Sequence, residues 1–455
     1  MKKLVFLVFV SLWFAGYGQL AQSFENFKNS SALQGATIGV SVLEVNSGNP
    51  IFEYNATQFF YPASIQKIIT TACALQLLGS NFSYETKVYY TGNIANGKLN
   101  GNLVIEPSGD PTTNSKHFSN DLLEEVLSQL KAKGITSIAG EVLILGQPGQ
   151  HNTPLTWLFE DIGNYYGVAS KLFNYKQNMY TISFLQKADG LIPSIQEIDL
   201  PVSYKFDLKL TCSSAQKGDH SFILGAPFSL EREVVGTISA GTSIFKVKGA
   251  NSNPEYSFVK ELEMVLTVEH TKLAGIDKTL LFTQKSSALY SIAKVTNHQS
   301  VNLFAEGILN TLGLSFQNDY QTAAGIELIE NYLKQSSADE KQVIIKDGSG
   351  LSRLNAMTPN FAANWMCDFY ENKDFVNSLP VSGESGTMQY LNQVGLKGKV
   401  RAKTGSAEGV VNYAGYLTKD NGQVLAFSIF VNNAYQSRYS VRKEIGVFLE
   451  RILVN

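Results

Sequence analysis

Apolar and polar positions change their spacing several times along the chain, and each change marks an element. Ala36–Val45 alternates and is β-branched at Thr37, Ile38, Val40 and Val42, which predicts a strand. Asn46-Ser47-Gly48-Asn49-Pro50 reads as a turn, and Ile51–Tyr54 as the returning strand. From Ser64 the spacing becomes helical through an apolar run to about Leu78, stopped by Gly79. Ser83–Thr91, Lys98–Ile105 and Ile135–Leu145 read as strands around an amphipathic helix over Asn120–Lys133. Short strands and turns dominate from Lys171 to Ser239. Helical spacing returns at Asn253–Leu266, over Ser286–Leu312 with a break at Ser300 and Asn302, at Gln321–Gln335 and at Pro359–Tyr370. Val400–Thr404, Val410–Leu417 and Val424–Val431 are three strands joined by tight turns, as in an antiparallel sheet. Ser440–Leu453 closes the chain as an amphipathic helix.

This order implies one discontinuous α/β domain interrupted by a β-rich insert. A hydrophobic share of 44% and a charged share of 17% provide for ample core. A net charge of −2 gives no basis for a nucleic-acid partner. Lys2 and Lys3 precede the apolar run Leu4–Phe14, and Gly16 and Gly18 are small residues at suitable cleavage positions, so residues 1–18 read as a signal peptide. That run is too short to remain as a spanning anchor. Export to the periplasm without a stable membrane anchor is the expectation. The three cysteines, Cys73, Cys212 and Cys367, read as buried inert thiols. The histidines show no HExxH spacing, and neither GxSxG nor GxxxxGK[ST] occurs, so no metal or cofactor is expected.

The chemistry concentrates at Ser64-Ile65-Gln66-Lys67. Residues three apart share a helix face, so the Ser64 hydroxyl and the Lys67 amine are expected within reach of each other. A serine hydroxyl needs a base to become a nucleophile, and a desolvated lysine amine can serve. The same spacing recurs at Ser128/Lys131, Ser214/Lys217, Ser243/Lys246, Ser257/Lys260, Ser291/Lys294 and Ser440/Lys443, where a helix-capping serine beside a solvated lysine is the simpler reading. Ser300-Val301-Asn302 and the single Lys403-Thr404-Gly405 of the chain, further along, complete with Ser64 the ordered triplet SxxK, SxN, KTG of the penicillin-interacting serine enzymes. The aromatic segment Trp157–Gly167 around Asp161 reads as a binding wall or, more simply, as a packed loop.

The triplet, Pro62-Ala63-Ser64-Ile65-Gln66-Lys67, Gly109-Asp110-Pro111, Asp161 to Tyr166, Asp347 to Arg353 and Leu379-Pro380-Val381-Ser382-Gly383 together resemble one family. It is the D-alanyl-D-alanine carboxypeptidase/endopeptidase family of class C penicillin-binding proteins, the DacB-like group, and the resemblance covers nearly the whole mature chain. It implies an α/β (α+β) transpeptidase/β-lactamase-like domain, with an antiparallel sheet flanked by helices, formed by 19–85 and 271–455. A second domain (86–170 and 240–270) would be inserted there, with a β-rich third (171–239) nested in it. It implies Ser64 as nucleophile, Lys67 as base, Ser300 as proton relay to the leaving amine, and Asn302 as a substrate-backbone and Lys67 contact. Lys403 would offer charge to the terminal carboxylate and depress the Lys67 pKa. Thr404, Gly405 and Ser406 would bind substrate, the Ser64 and Ser406 N–H groups forming the oxyanion hole. Asp161, Tyr166 and Arg353 would line the pocket for the stem side chain. Glu408 stands where related sequences carry Gln, and a second carboxylate there would favour a free amine, although an exposed turn residue is the plainer reading. The implied partners are peptidoglycan muropeptides, with β-lactams as covalent inhibitors; a homodimer is left open.

Two other readings share features. A β-lactamase has the triplet but is a shorter chain without the insert, and no deacylating glutamate is placed here. A non-catalytic wall-binding protein of the same fold would have lost Ser64, Lys67 or Lys403, and all are present.

Overall fold

The computed structural model describes residues 19–146, 152–273, 277–336 and 338–454. The signal peptide expected over 1–18 lies outside them. The chain divides into two compact units. One comprises the described residues of Met1–Ser80, Ala293–Val301 and Ile326–Asn455; the other comprises those of Asn81–Ile292 and Asn302–Gly325.

The first unit is built on a five-stranded antiparallel sheet. Its strands are β1 (Thr37–Glu44), β2 (Pro50–Tyr54), β3 (Val400–Ala407), β4 (Val410–Thr418) and β5 (Val424–Asn432), in the order β2-β1-β5-β4-β3. The chain's two ends therefore meet in one sheet: Val40 on β1 and Tyr413 on β4 both pair with Ile429 on β5. Side chains alternate between faces. Leu425, Phe427, Ile429 and Val431 join a core with Phe24 and Phe27 of α1 (residues 19–28) and Ile445, Phe448 and Leu449 of α4 (Arg438–Val454). Phe27 and Phe448 stack with centroids 4.9 Å apart. The other face receives α3 (Pro359–Asp368), where Ser428 Oγ donates to the Pro359 carbonyl at 2.7 Å. Trp365 Nε1 of α3 donates in turn to the Ile68 carbonyl of α2 (Lys67–Leu77) at 3.3 Å. β1 and β5 are covered on both faces, so residues between their end positions are buried continuously rather than alternately.

The second unit carries four small sheets and the helices Leu122–Ala132 and Pro254–Glu263. Here the expected strands need correction. Lys98–Ile105 is two strands, Lys98–Asn100 and Leu103–Glu106, and Ile135–Leu145 is likewise Ser137–Ile138 and Val142–Ile144. Each half belongs to a different sheet. Asn102 fixes the crossing: its N–H donates to Thr91 Oγ1 at 2.9 Å, and its Oδ1 accepts from the Glu141 N–H at 2.8 Å. Both segments thus change sheet at the same place. The segment Trp157–Gly167, expected to lack regular structure, forms a short helix at Phe159–Ile162 and a 3₁₀ turn at Tyr165–Gly167.

Candidate active site

The turn that carries Ser64 departs from the expected α-helix. Ala63–Gln66 is a 3₁₀ turn, and α-helix begins only at Lys67. Ala63 has φ 47°, a left-handed conformation costing a non-glycine residue about 1–2 kcal/mol. The strain is held by surrounding bonds. Asn412 on β4, fully buried, donates through Nδ2 to the carbonyls of Tyr61 at 2.9 Å and Pro62 at 3.1 Å, while its Oδ1 accepts from the Val431 N–H at 3.1 Å. Gly405, paired with Asn412 across the sheet, must be glycine: a Cβ there would stand 2.4 Å from the Pro62 carbonyl oxygen. The turn before Ser64 is pinned to the strand of Lys403.

Lys67 is fully buried at the start of α2. Its Nζ donates to Ser64 Oγ at 3.0 Å and to the Ser349 carbonyl at 2.6 Å. That carbonyl is fixed because the Asp347 carboxylate accepts from the N–H groups of Gly350 (2.7 Å) and Ser352 (2.6 Å) and from Asn355 Nδ2 (2.8 Å). Asp347 and Asn355 therefore shape the turn that holds the lysine amine.

Ser300, with φ 57°, sits between the helices Leu289–Gln299 and Asn302–Gln317. Its Oγ accepts from Lys403 Nζ at 3.0 Å, and the same amine donates to the Thr404 carbonyl at 2.7 Å. Lys403 is fully buried on β3. Burial first, and the charge of Lys67 second, push its pKa well below the usual lysine range. Asn297, also buried, donates to Thr71 Oγ1 of α2 at 3.2 Å and to Ser378 Oγ at 2.9 Å, which anchors the segment leading to Ser300.

The other expected residues lie as follows. Thr404 is buried, with Oγ1 donating to Thr387 Oγ1 at 2.8 Å. Ser406 is exposed near the end of β3, and Glu408 is exposed in the turn to β4. The guanidinium of exposed Arg353 lies 5.0 Å from the centre of the Tyr61 ring. These residues, with Ser64, Lys67, Ser300 and Lys403, belong to the first unit. Asn302, Asp161 and Tyr166 belong to the second. There Asn302 Nδ2 donates to the Tyr166 carbonyl at 2.8 Å. Asp161 is buried, and the Tyr166 phenol is pushed up by burial first and then by the charge of Asp161 and its hydrogen bond to that carboxylate. Cys73 and Cys212 are buried, Cys367 is half-buried, and all are free; burial raises the Cys73 thiol and raises Cys367 to about 11. Among the described residues no group of His, Cys, Asp and Glu is arranged to hold a metal. No described helix is long and apolar enough to cross a membrane.

Sequence reasoning missed Asn412 and Asn297. One signal was available for the first, a lone amide inside the apolar run Val410–Leu417. Asn297 has no comparable signature on its polar stretch.

The family model described as the D-Ala-D-Ala carboxypeptidase 3 (S13) family matches residues 20–452. The D-alanyl-D-alanine carboxypeptidase DacB of Haemophilus influenzae is 25% identical over 422 residues, covering 88% of this chain and 86% of the relative. The crystal structure of penicillin binding protein 4 (dacB) from Haemophilus influenzae aligns with a TM-score of 0.77 at 24% identity, over 96% of this chain and 98% of that one. The structure of that protein complexed with a novel β-lactam aligns at 0.73 and 23% identity, over the same shares.

Proposed function

The chain belongs to the D-Ala-D-Ala carboxypeptidase 3 (S13) family, and from that premise we propose how its residues carry out the hydrolysis. It is a serine hydrolase of the D-Ala-D-Ala carboxypeptidase/endopeptidase class. The single observation that carries the assignment of roles is the Lys67 amine 3.0 Å from Ser64 Oγ.

In this reading Lys67 takes the Ser64 proton as Oγ attacks the carbonyl carbon of the penultimate D-alanine. The oxygen of the tetrahedral intermediate is held by the Ser64 and Ser406 N–H groups; one such donor is typically worth about 3–4 kcal/mol. Collapse expels the terminal D-alanine, whose amine takes a proton through Ser300. Water then hydrolyses the ester on Ser64. Lys403 and Thr404 hold the terminal carboxylate, and Asn302 the substrate backbone. Asp161, Tyr166, Arg353 and Glu408 are proposed to recognise the stem side chain. When the leaving amine belongs to a neighbouring stem, the same steps cut a cross-link. The substrates are peptidoglycan muropeptides, so the place of action is outside the cytoplasm, reached through the leader at residues 1–18. A β-lactam amide in place of the D-Ala-D-Ala amide acylates Ser64 and keeps its leaving group tethered.

The test is mass spectrometry of products from purified muropeptides, monomeric and cross-linked, treated with the protein. Pentapeptides shortened by one D-alanine, or dimers split at the D-centre, are expected. Unchanged muropeptides would overturn the reading.

A further inference from the structure

We propose that Thr387 is a positioning residue that aims the Thr404 hydroxyl at the substrate's terminal carboxylate, and so sets affinity for substrates ending in a free acid. This rests on the reading of Lys403 and Thr404 as the carboxylate-binding end of the site.

Thr404 is 7% exposed, and its hydroxyl proton goes to Thr387 Oγ1 at 2.8 Å. Thr387 does not come from the sheet. It lies in the 3₁₀ turn Gly386–Tyr390, half-buried, so its own hydroxyl stands at the edge of the interior. Gly386 has φ 52°, and a Cβ on it would come within 2.6 Å of the His298 carbonyl oxygen. Only glycine lets the turn lie against the segment that leads to Ser300. On its other side the turn is held by Met388, buried in the core, whose carbonyl accepts from the Gly383 N–H at 3.1 Å, and by the Val381 N–H, which donates to Ser385 Oγ at 3.0 Å. The turn thus meets both the Ser300 segment and the strand of Thr404, the two elements also joined by Lys403 Nζ.

A hydroxyl has one proton to give and two lone pairs to receive. Without substrate, the Thr404 proton is committed to Thr387. A carboxylate accepts only, so binding requires Thr404 to turn that proton toward it. Thr387 then rotates its own O–H to donate to Thr404. It is acceptor before binding and donor after, and in the bound state the two hydroxyls polarise each other toward the anion. Valine has the shape of threonine and neither role. The carboxylate is not altered by the reaction, so its contacts are shared by ground and transition states, and their loss appears in KM rather than kcat.

The experiment measures kcat and KM of wild type, Thr387→Val, Thr387→Ala and Thr387→Ser on a D-Ala-D-Ala peptide and on the same peptide with a C-terminal amide. Wild type is expected to prefer the acid. In Thr387→Val and Thr387→Ala the KM for the acid should rise about tenfold with kcat little changed. The amide should be unaffected, and Thr387→Ser should restore the acid's KM. If wild type prefers the acid and both hydroxyl-free variants keep that preference, Thr387 has no such role while the reading of Lys403 and Thr404 stands. If those variants lose kcat equally on acid and amide, Thr387 supports structure only and the proposal fails. If wild type does not prefer the acid, the carboxylate reading itself fails and takes the proposal with it.

Discussion

Lys403 Nζ stands 3.0 Å from Ser300 Oγ across 103 residues of chain. The strand that carries this lysine also carries Gly405, against which the Pro62 carbonyl packs immediately before the turn of Ser64. Two motif segments distant in sequence are therefore fixed to one strand. A small displacement of β3 would disturb both the Ser300 contact and the turn of Ser64.

Lys67 must present a lone pair to act as base, and arginine is permanently charged. Lys67→Arg is expected to slow penicillin acylation by about 10²–10⁴-fold, the usual contribution of general-base catalysis, and to lower stability far less. Acylation rates beside thermal melts provide the comparison. Near-normal acylation would remove Lys67 from the mechanism.

Lys403 titrates well below an ordinary lysine because it is buried and faces Lys67. Its folded pKa lies under its unfolded value of about 10.4, so between the two the unfolded chain binds more protons. Its contribution to stability is consequently least favourable below the folded pKa and improves as pH rises through that window. Lys403→Met should remove this pH dependence. It should also make the protein more stable than wild type at neutral pH, because no amine has then to be buried or deprotonated on folding. The gain should shrink toward pH 10, and acylation should be lost. Chemical denaturation at pH 7 and pH 10 checks the sign; a destabilised variant at both values would contradict it.

Asn412 joins β4 and β5 to the Tyr61-Pro62 backbone. Asn412→Ala leaves the buried Val431 N–H without its side-chain partner, and leaves the Tyr61 carbonyl with Asn432 Nδ2 and the Pro62 carbonyl with the Ile65 N–H as remaining donors. A cost of about 1–3 kcal/mol is expected, with slower acylation of Ser64. Denaturant melts and acylation rates of the variant test both parts; loss of stability with unchanged acylation would confine Asn412 to the fold.

The α/β class and the sheet built from both ends of the chain were legible because they depend on local period, and the segments of Ser64, Ser300 and Lys403 stood out as ordered motifs. Ser300 was legible as a break since the helical period fails there, and the structure places it at φ 57°. The double crossing at Asn102 was not legible. Lys98–Ile105 is β-rich throughout, and nothing local says that its halves pair with different partners. Nor was the 3₁₀ start at Ala63–Gln66, since it depends on Asn412 and Gly405, more than three hundred residues away. Contacts of that range leave no periodic trace.

Asp161 is a buried carboxylate to which the Tyr166 phenol hydrogen-bonds, whereas Glu408 is exposed. A diaminopimelate-type pentapeptide should lose about 10–100-fold in kcat/KM when its stem amine is acetylated, the worth of a charge-assisted hydrogen bond. Asp161→Asn should lose that preference. If Asp161→Asn keeps it in full while Glu408→Gln loses it, Glu408 alone carries the selectivity.

The most direct measurement is the site of penicillin attachment. Wild type and Ser64→Ala are treated with penicillin, digested with trypsin and mapped by mass spectrometry. One adduct per chain is expected, on the peptide containing Ser64, and none in Ser64→Ala, whose melting curve should stay close to wild type. An adduct on another serine, or no adduct on a folded wild-type protein, would contradict Ser64 as the nucleophile.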